Sequence, residues 1–233
     1  MTSITQLVKN NLELSKNIPL KIALYEAFKK TIVLREIPAG TRINEKEFST
    51  ELNISRTPIR YALGVLEEEK LVEHIPNRGI IVKGVSLQDA HEIFEIRKSL
   101  ETLASTTAMN KMTKADFDEM KELLDTCEGY LLEHEIDKVL KNFNDFNNLI
   151  YEKSQMLRLK EIVSELQAYL LYFRRISISS DERRRKALDE HWMIYRGMKN
   201  KDYQQVTLIT HEHLNHSLDF IIQEMEQDND PNR

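Results

Sequence analysis

Residues Asn53–Val82 read NISRTPIRYALGVLEEEKLVEHIPNRGIIV, and this stretch decides the fold. Ser55 is placed to cap a helix, its hydroxyl accepting from a first-turn amide. Pro58 falls in that first turn, where a missing N–H costs little. Ile59, Ala62, Leu63 and Leu66 recur at three and four, so one helical face is apolar. Arg56, Thr57 and Arg60 start the opposite side, and the two arginines, four apart, project together from the helix N-terminus. A recognition helix puts this end into the major groove, where arginine forks onto guanine edges or phosphates. Leu71 to Ile75 and Ile80 to Lys83 then read as two β runs around Pro-Asn-Arg-Gly, a hairpin signal. The spacing predicts a winged helix-turn-helix.

Working outward, Leu20 to Leu34 is expected as a helix with Ile22, Leu24, Tyr25, Phe28, Ile32 and Val33 on its apolar side. Ile37-Pro38-Ala39-Gly40 stops it. The run from Ile37 (IPAGTRINEKEF), SRTPIRYAL from Ser55, and the Leu71-Val72-Glu73 and Asn77–Val82 segments together resemble the DNA-binding domain of the GntR family of bacterial transcription regulators. That resemblance implies a helix from about Asn44 to Leu52, a turn at Asn53 and a recognition helix from Ser55 to Lys70. It assigns DNA contact to Lys46, Ser55, Arg56, Thr57 and Arg60. Arg78 and Gly79 match the wing tip, which in the family approaches the minor groove, and glycine lets backbone come close.

Charge fits this division. The net charge is −5, which by itself argues against a nucleic-acid partner. Residues 18–84, however, carry 11 Lys/Arg against 9 Asp/Glu, and residues 85–233 carry 20 against 28. An acidic body repelled by phosphate turns the basic end toward DNA. With 41% hydrophobic and 30% charged residues the chain reads as globular. No apolar run approaches the ~20 residues that span a bilayer. The N-terminus lacks a basic flank before an apolar core, so no secretory signal is expected. The single Cys127 excludes an intramolecular disulfide framework, fits a reducing cytoplasm and is expected as buried helix filler.

The expected organisation is an arm over 1–17, a winged helix-turn-helix over 18–84, an all-α effector-binding and dimerisation domain over 85–226, and a fraying tail over 227–233. After Lys83-Gly84-Val85-Ser86 the pattern is helical throughout, in six segments near 87–109, 114–133, 136–153, 156–175, 183–199 and 202–226. EIRKSLETLA from Glu95, DFNNLIYEKS from Asp145 and EHWMIYRGMKNKD from Glu190, followed by His213, resemble the FCD (FadR C-terminal domain-like) effector domain. In that family a helical bundle encloses a pocket for a small organic acid, often held on a divalent metal.

Arg97 and Glu101 fall on the apolar face formed by Ala90, Ile93, Phe94, Leu100 and Ala104. A buried arginine must be paired. Either Glu101 pairs it within the helix, or its guanidinium grips a ligand carboxylate. His191 lies on a stripe with Leu188, Ile194, Tyr195 and Met198, and His213 on one with Val206, Ile209, Ser217 and Phe220, so both should point inward. They match the family's last two metal ligands. The other two ligands, Asp and His in D-x-x-F-H, are replaced by Phe143 and Asn147. Two imidazoles and an amide lack the anionic ligand a divalent ion wants, so no metal is expected, and any ion present would rest on His191, His213 and Asn147. Asp145 is out of register. His191, His213 and Asn147 then serve as neutral ligand-binding groups beside Arg97 and Glu101. His211 and His216 are expected at the surface or edge, Asp181–Lys186 (DERRRK) as solvated charge, and Trp192 as packing or dimer surface.

The sequence reading is a cytoplasmic, homodimeric, ligand-responsive transcription regulator, a repressor by family habit, on a two-fold operator in double-stranded DNA. Its rivals are a metal-dependent enzyme in the helical part, or a small-molecule binding module with a vestigial head. Phe143 and Asn147 weigh against the first, and the intact Arg56, Thr57, Arg60, Arg78 and Gly79 against the second.

Overall fold

The structure, a computed structural model, describes residues 3–13 and 18–228. Residues 1–2 and 14–17 of the expected arm and 229–233 of the expected tail lie outside them. The chain divides into two units, 1–86 and 87–233.

In the first unit, α1 (Ile4–Asn10) is capped by Ser3, whose hydroxyl accepts from Gln6, and buries Thr5 and Val8. It packs on α2 (Leu20–Val33), whose Leu24, Phe28 and Ile32 are fully buried. Gly40, at φ +83°, turns the chain into a short strand, β1 (Arg42–Ile43). Asn44 caps α3 (Glu45–Glu51), its side chain accepting from the amides of Lys46 and Glu47. The recognition helix α4 (Arg56–Glu68) is shorter than expected at its C-terminal end and buries Ile59, Ala62, Leu63 and Leu66 against α2. Burying a side chain of the leucine class contributes roughly 1.5–3 kcal/mol, so this stripe fixes the helix and leaves its other face to solvent.

The wing is β2 (Val72–Ile75) paired antiparallel with β3 (Gly79–Val82), with Val72 opposite Val82 and Ile75 opposite Gly79. Asn77 (φ +64°) and Gly79 (φ +83°) make the turn. β3 also pairs with β1, which gives the sheet order β1-β3-β2. Two residues are too short a run for alternation to show, so β1 was not legible in the sequence.

The second unit is a helical bundle: α5 (Leu87–Lys111), α6 (Lys114–Leu132), α7 (Ile136–Ser154), α8 (Leu157–Glu165), α9 (Gln167–Ser177), α10 (Asp181–Asn200) and α11 (Tyr203–Asp228). The expected six helices are therefore seven. The segment near 156–175 breaks at Leu166, where α8 ends and α9 begins. The apolar repeat Leu159, Val163, Leu166, Leu170, Phe173 runs through the break in phase, with neither Gly nor Pro to mark it. The helix expected to stop at 226 continues to Asp228, so Gln227 and Asp228 are helical, not tail.

α5 packs on α7 and α11, and α10 on α6 and α11, with Phe94, Phe146 and Phe173 fully buried among them. Thr113 and Asp116 form a reciprocal capping box at the start of α6. Cys127 is fully buried, and burial pushes its thiol up to about 12, so it is inert filler. No described helix is long and apolar enough to cross a membrane.

Candidate DNA-binding face and effector cavity

Two sites emerge, one in each unit. In the first, Arg56, Thr57 and Arg60 are exposed on the first turns of α4, and Lys46 is exposed on the first turn of α3. Arg60 Nε donates to Glu45 Oε2 at 2.8 Å, which ties the N-terminal part of α4 to the start of α3. Ser55 holds the N-cap position with extended backbone (φ −66°, ψ 159°), but its hydroxyl makes no capping bond. The expected capping role of that hydroxyl is thus corrected: Ser55 is exposed and its hydroxyl accepts from no first-turn amide. Orphan amides at a helix N-terminus favour anions.

Arg78 is exposed at the wing turn. Gly79 lies against Arg42 of β1, and a Cβ on Gly79 would sit 3.4 Å from the Arg42 guanidinium. Sequence reasoning missed Arg42. Its signal was a basic residue straight after the Pro-Ala-Gly turn, and only the β1–β3 pairing brings it to the wing.

The second site is a small void in the bundle, about 20 Å³, lined in part by Arg97, Asn147, His191 and His213. Four of the five expected effector residues therefore meet. Glu101 lines an adjoining void of about 10 Å³, which shares Asn147 and His213 with the first. Each has room for no more than about one water, far below a ligand pocket.

Arg97 Nε donates to Glu101 Oε1 at 2.8 Å, with both side chains under a tenth exposed, and its guanidinium lies 4.5 Å from the Phe94 ring centroid. Of the two readings of Arg97, the structure shows the intrahelical pair, in its buried form. Burial alone would raise the Glu101 carboxyl, but Arg97 and then Arg174 outweigh it and hold it below its ordinary value.

His191 stacks on Phe146 (4.6 Å, 29°), meets Phe143 edge-on (4.6 Å, 78°) and lies 4.8 Å from the His213 ring. Neither of its ring nitrogens has a hydrogen-bond partner within the protein. Burial, then the charges of His213 and nearby arginines, push its pKa well below 6.5, so the ring is neutral. Asn147 donates from Nδ2 to the Phe143 carbonyl at 2.8 Å, so the amide oxygen is what it can offer.

A divalent metal of the kind the family often carries does not fit this set. Phe143 fills the place of the carboxylate ligand, and its ring packs on His191. The nearest carboxylate to His213, Glu190, is already engaged: Oε2 takes His213 Nδ1 (2.6 Å) and Arg183 Nη2 (3.0 Å), and Oε1 takes His216 Nδ1 (2.8 Å). Among the described residues no group of three His, Cys, Asp or Glu is placed to hold an ion.

Glu190 and Arg183 were also missed, and the second corrects the sequence reading. In the run DERRRK, Arg183 and Arg184 are buried at 4% and 6% exposure, not solvated. Arg184 donates to the carbonyls of Ile178 (2.7 Å) and Ser179 (2.9 Å) and pairs with Asp181, while Arg183 reaches Ser217 Oγ (2.7 Å) on α11. Burial would raise the Glu190 carboxyl, but His213, Arg183 and His216 hold it at about 2. Arg174, a lining residue likewise missed, is 7% exposed. It donates from Nη1 to Asn144, and its Nη2 has no partner within the protein. The signal was available: Arg174 is in phase with Leu170 and Ser177, and Arg183 with Ala187 and His191. His211 is exposed and His216 half-buried. Trp192 is half-buried, its Nε1 donating to Glu128 at 2.9 Å.

Comparison with known proteins gives the same division. A family model described as bacterial regulatory proteins, gntR family, matches residues 20–82, and one described as FCD domain matches residues 92–216. The chain is 24% identical over 219 residues to the uncharacterized HTH-type transcriptional regulator YdhC of Bacillus subtilis, covering 94% of this chain and 98% of that one. It is 23% identical over 202 residues to the HTH-type transcriptional repressor RspR of Escherichia coli, covering 87% and 89%. Of solved structures, E. coli McbR/YncC matches with a TM-score of 0.64 at 22% identity, over 97% of this chain and 100% of that one.

Proposed function

Because the chain belongs to the GntR family of bacterial regulatory proteins and carries an FCD domain, we propose that it is a homodimeric repressor whose grip on a two-fold operator is set by a small organic acid in the bundle. Members of this family are DNA-binding transcription regulators, not enzymes. The observation that carries the DNA half is the exposed set of Arg56, Thr57, Arg60 and Lys46 on the first turns of two packed helices, with Arg78 and Gly79 on the wing. Phosphate contacts position such a head, and the paired arginines read base edges. Lys46 and Ser55 serve phosphate. Arg42, beside Gly79, adds a cation to the wing.

RspR is described as a repressor, which supports repression as the sign here. Two copies are required because one head reads one half-site, and a two-fold operator mirrors a two-fold protein. The acid shifts DNA affinity only through unequal binding to the two head arrangements. Arg97, Glu101, Asn147, His191 and His213 surround its place in the bundle. Cytoplasmic residence follows from the DNA partner.

The test is binding to fragments of the source genome at fixed salt, with and without a panel of organic acids. Selective retention of a few promoter fragments, released by one acid, supports the reading. Retention no better than that of random DNA overturns it.

A further inference from the structure

The ligand chemistry of the bundle can be taken one step further by counting its buried charge. Arg97 (4% exposed) and Arg174 (7%) line the first void, and a third buried guanidinium, Arg183 (4%), stands behind it, bonded to the lining residue Ser217. Two carboxylates, Glu101 and Glu190, stand against them, each 6% exposed. Arg97 pairs with Glu101 and Arg183 with Glu190. Arg184, also buried, lines neither void and is matched by Asp181 and by the carbonyls of Ile178 and Ser179. One cation is left over, and it is Arg174.

Its surroundings do not neutralise it. Asn144 accepts from Nη1, and Tyr151 lies beside it, but both are uncharged at neutral pH. Glu101 is felt, though it is bonded to Arg97, and the charge of Arg97 itself opposes that of Arg174. Nη2 of Arg174 and Nη1 of Arg183 are buried donors without partners. Isolated buried charge is costly unless an opposite charge meets it. The surplus is a single positive charge.

We propose that Arg174 anchors the carboxylate of a small monocarboxylic acid, bound in the bundle without a metal ion. This rests on reading the bundle as the effector-sensing half of a DNA-binding regulator. One carboxylate cancels the surplus, whereas a second would bury an unmatched negative charge. A divalent cation would add to a site that is already positive. The carboxylate accepts in the bidentate manner guanidinium favours. The body of the acid meets Phe143, Phe173, Ile178 and Ala187, which are apolar and line the same void. At about 20 Å³ the void must open for the acid to enter. Asn147 and His213 line both voids, so displacing them would join the two.

The test uses the full chain, stripped with EDTA and free of DNA, in calorimetric titrations. The probes are acetate, butyrate, hexanoate and benzoate, each with its neutral amide, together with succinate, glutarate and chloride. The expected result is that at least one monocarboxylate binds, unaffected by EDTA, and at least tenfold more tightly than its amide or either dicarboxylate. Arg174→Gln should weaken it at least tenfold. Binding only when Mn, Ni or Zn is restored overturns the proposal. So does preference for a dicarboxylate, binding of chloride alone, no binding by any monocarboxylate, or full affinity in folded Arg174→Gln. If that variant does not fold, the wild-type comparison of acid, amide and dicarboxylate decides. Failure here leaves DNA recognition intact, and failure of the DNA reading would show instead in the genomic-fragment assay.

Discussion

Arg56 and Arg60 are four residues apart on an exposed helix start, and nothing in the core depends on them. Replacing either with Ala is expected to cost ~1–3 kcal/mol of specific binding per half-site and to leave the circular dichroism spectrum unchanged. The Arg60 change also releases Glu45, so its effect should be partly rescued by Glu45→Gln, which salt-controlled anisotropy titrations of the double mutant would show. Gly79 works by conformation. At φ +83° a side chain is strained, while a Cβ would only come into contact with the Arg42 guanidinium. Gly79→Ala should lose about 1 kcal/mol of stability and weaken DNA binding, both measurable on one preparation.

His191 sets a pH dependence of the same residue-level kind. Its folded pKa lies well below the unfolded 6.5, so its contribution is complete above pH 6.5 and is lost as pH falls. Glu190, at about 2 against 4.5 unfolded, has the same sign in a lower window, between about pH 4.5 and 2. Melting temperature should therefore drop between pH 7.5 and 5. His191→Phe, which keeps the ring stack on Phe146, should flatten that part of the profile. An unchanged slope in the variant would remove His191 as the cause.

Among the elements, α10 and α11 are joined by one polar clasp: Glu190 from α10 holds His213 and His216 of α11, and Arg183 holds Ser217. Removing the carboxylate strands a buried guanidinium, a class of change that costs ~3–5 kcal/mol. Glu190→Ala should thus be far more damaging than Glu190→Gln, as urea melts would report. Much of this scale was legible beforehand. Ile59, Ala62, Leu63 and Leu66 announce α4, and Arg97, His191 and His213 sit where their stripes put them. The break at Leu166 was not legible, because the apolar phase carries through it. Arg174, Arg183 and Glu190 were passed over because charged residues in an acidic, helical stretch read as solvent-facing. The same in-phase test that singled out Arg97 picks them out too.

For the whole molecule, the proposal requires two copies. A lone head offers one recognition helix, and exposed apolar residues of the bundle such as Ile96, Leu103 and Leu208 supply surface for a partner copy. Sedimentation at micromolar concentration should give a dimer, and a chain that stays monomeric with and without DNA would contradict the two-fold operator. The central claim, that this is a sequence-specific DNA-binding protein acting through the start of α4, is tested most directly by footprinting the wild-type chain and Arg56→Ala/Arg60→Ala on the fragments it selects, at one fixed salt concentration. The account predicts two protected half-sites related by a two-fold axis and about a helical turn apart, absent with the folded double mutant. Protection that is missing with wild type, or identical with the double mutant, would contradict it.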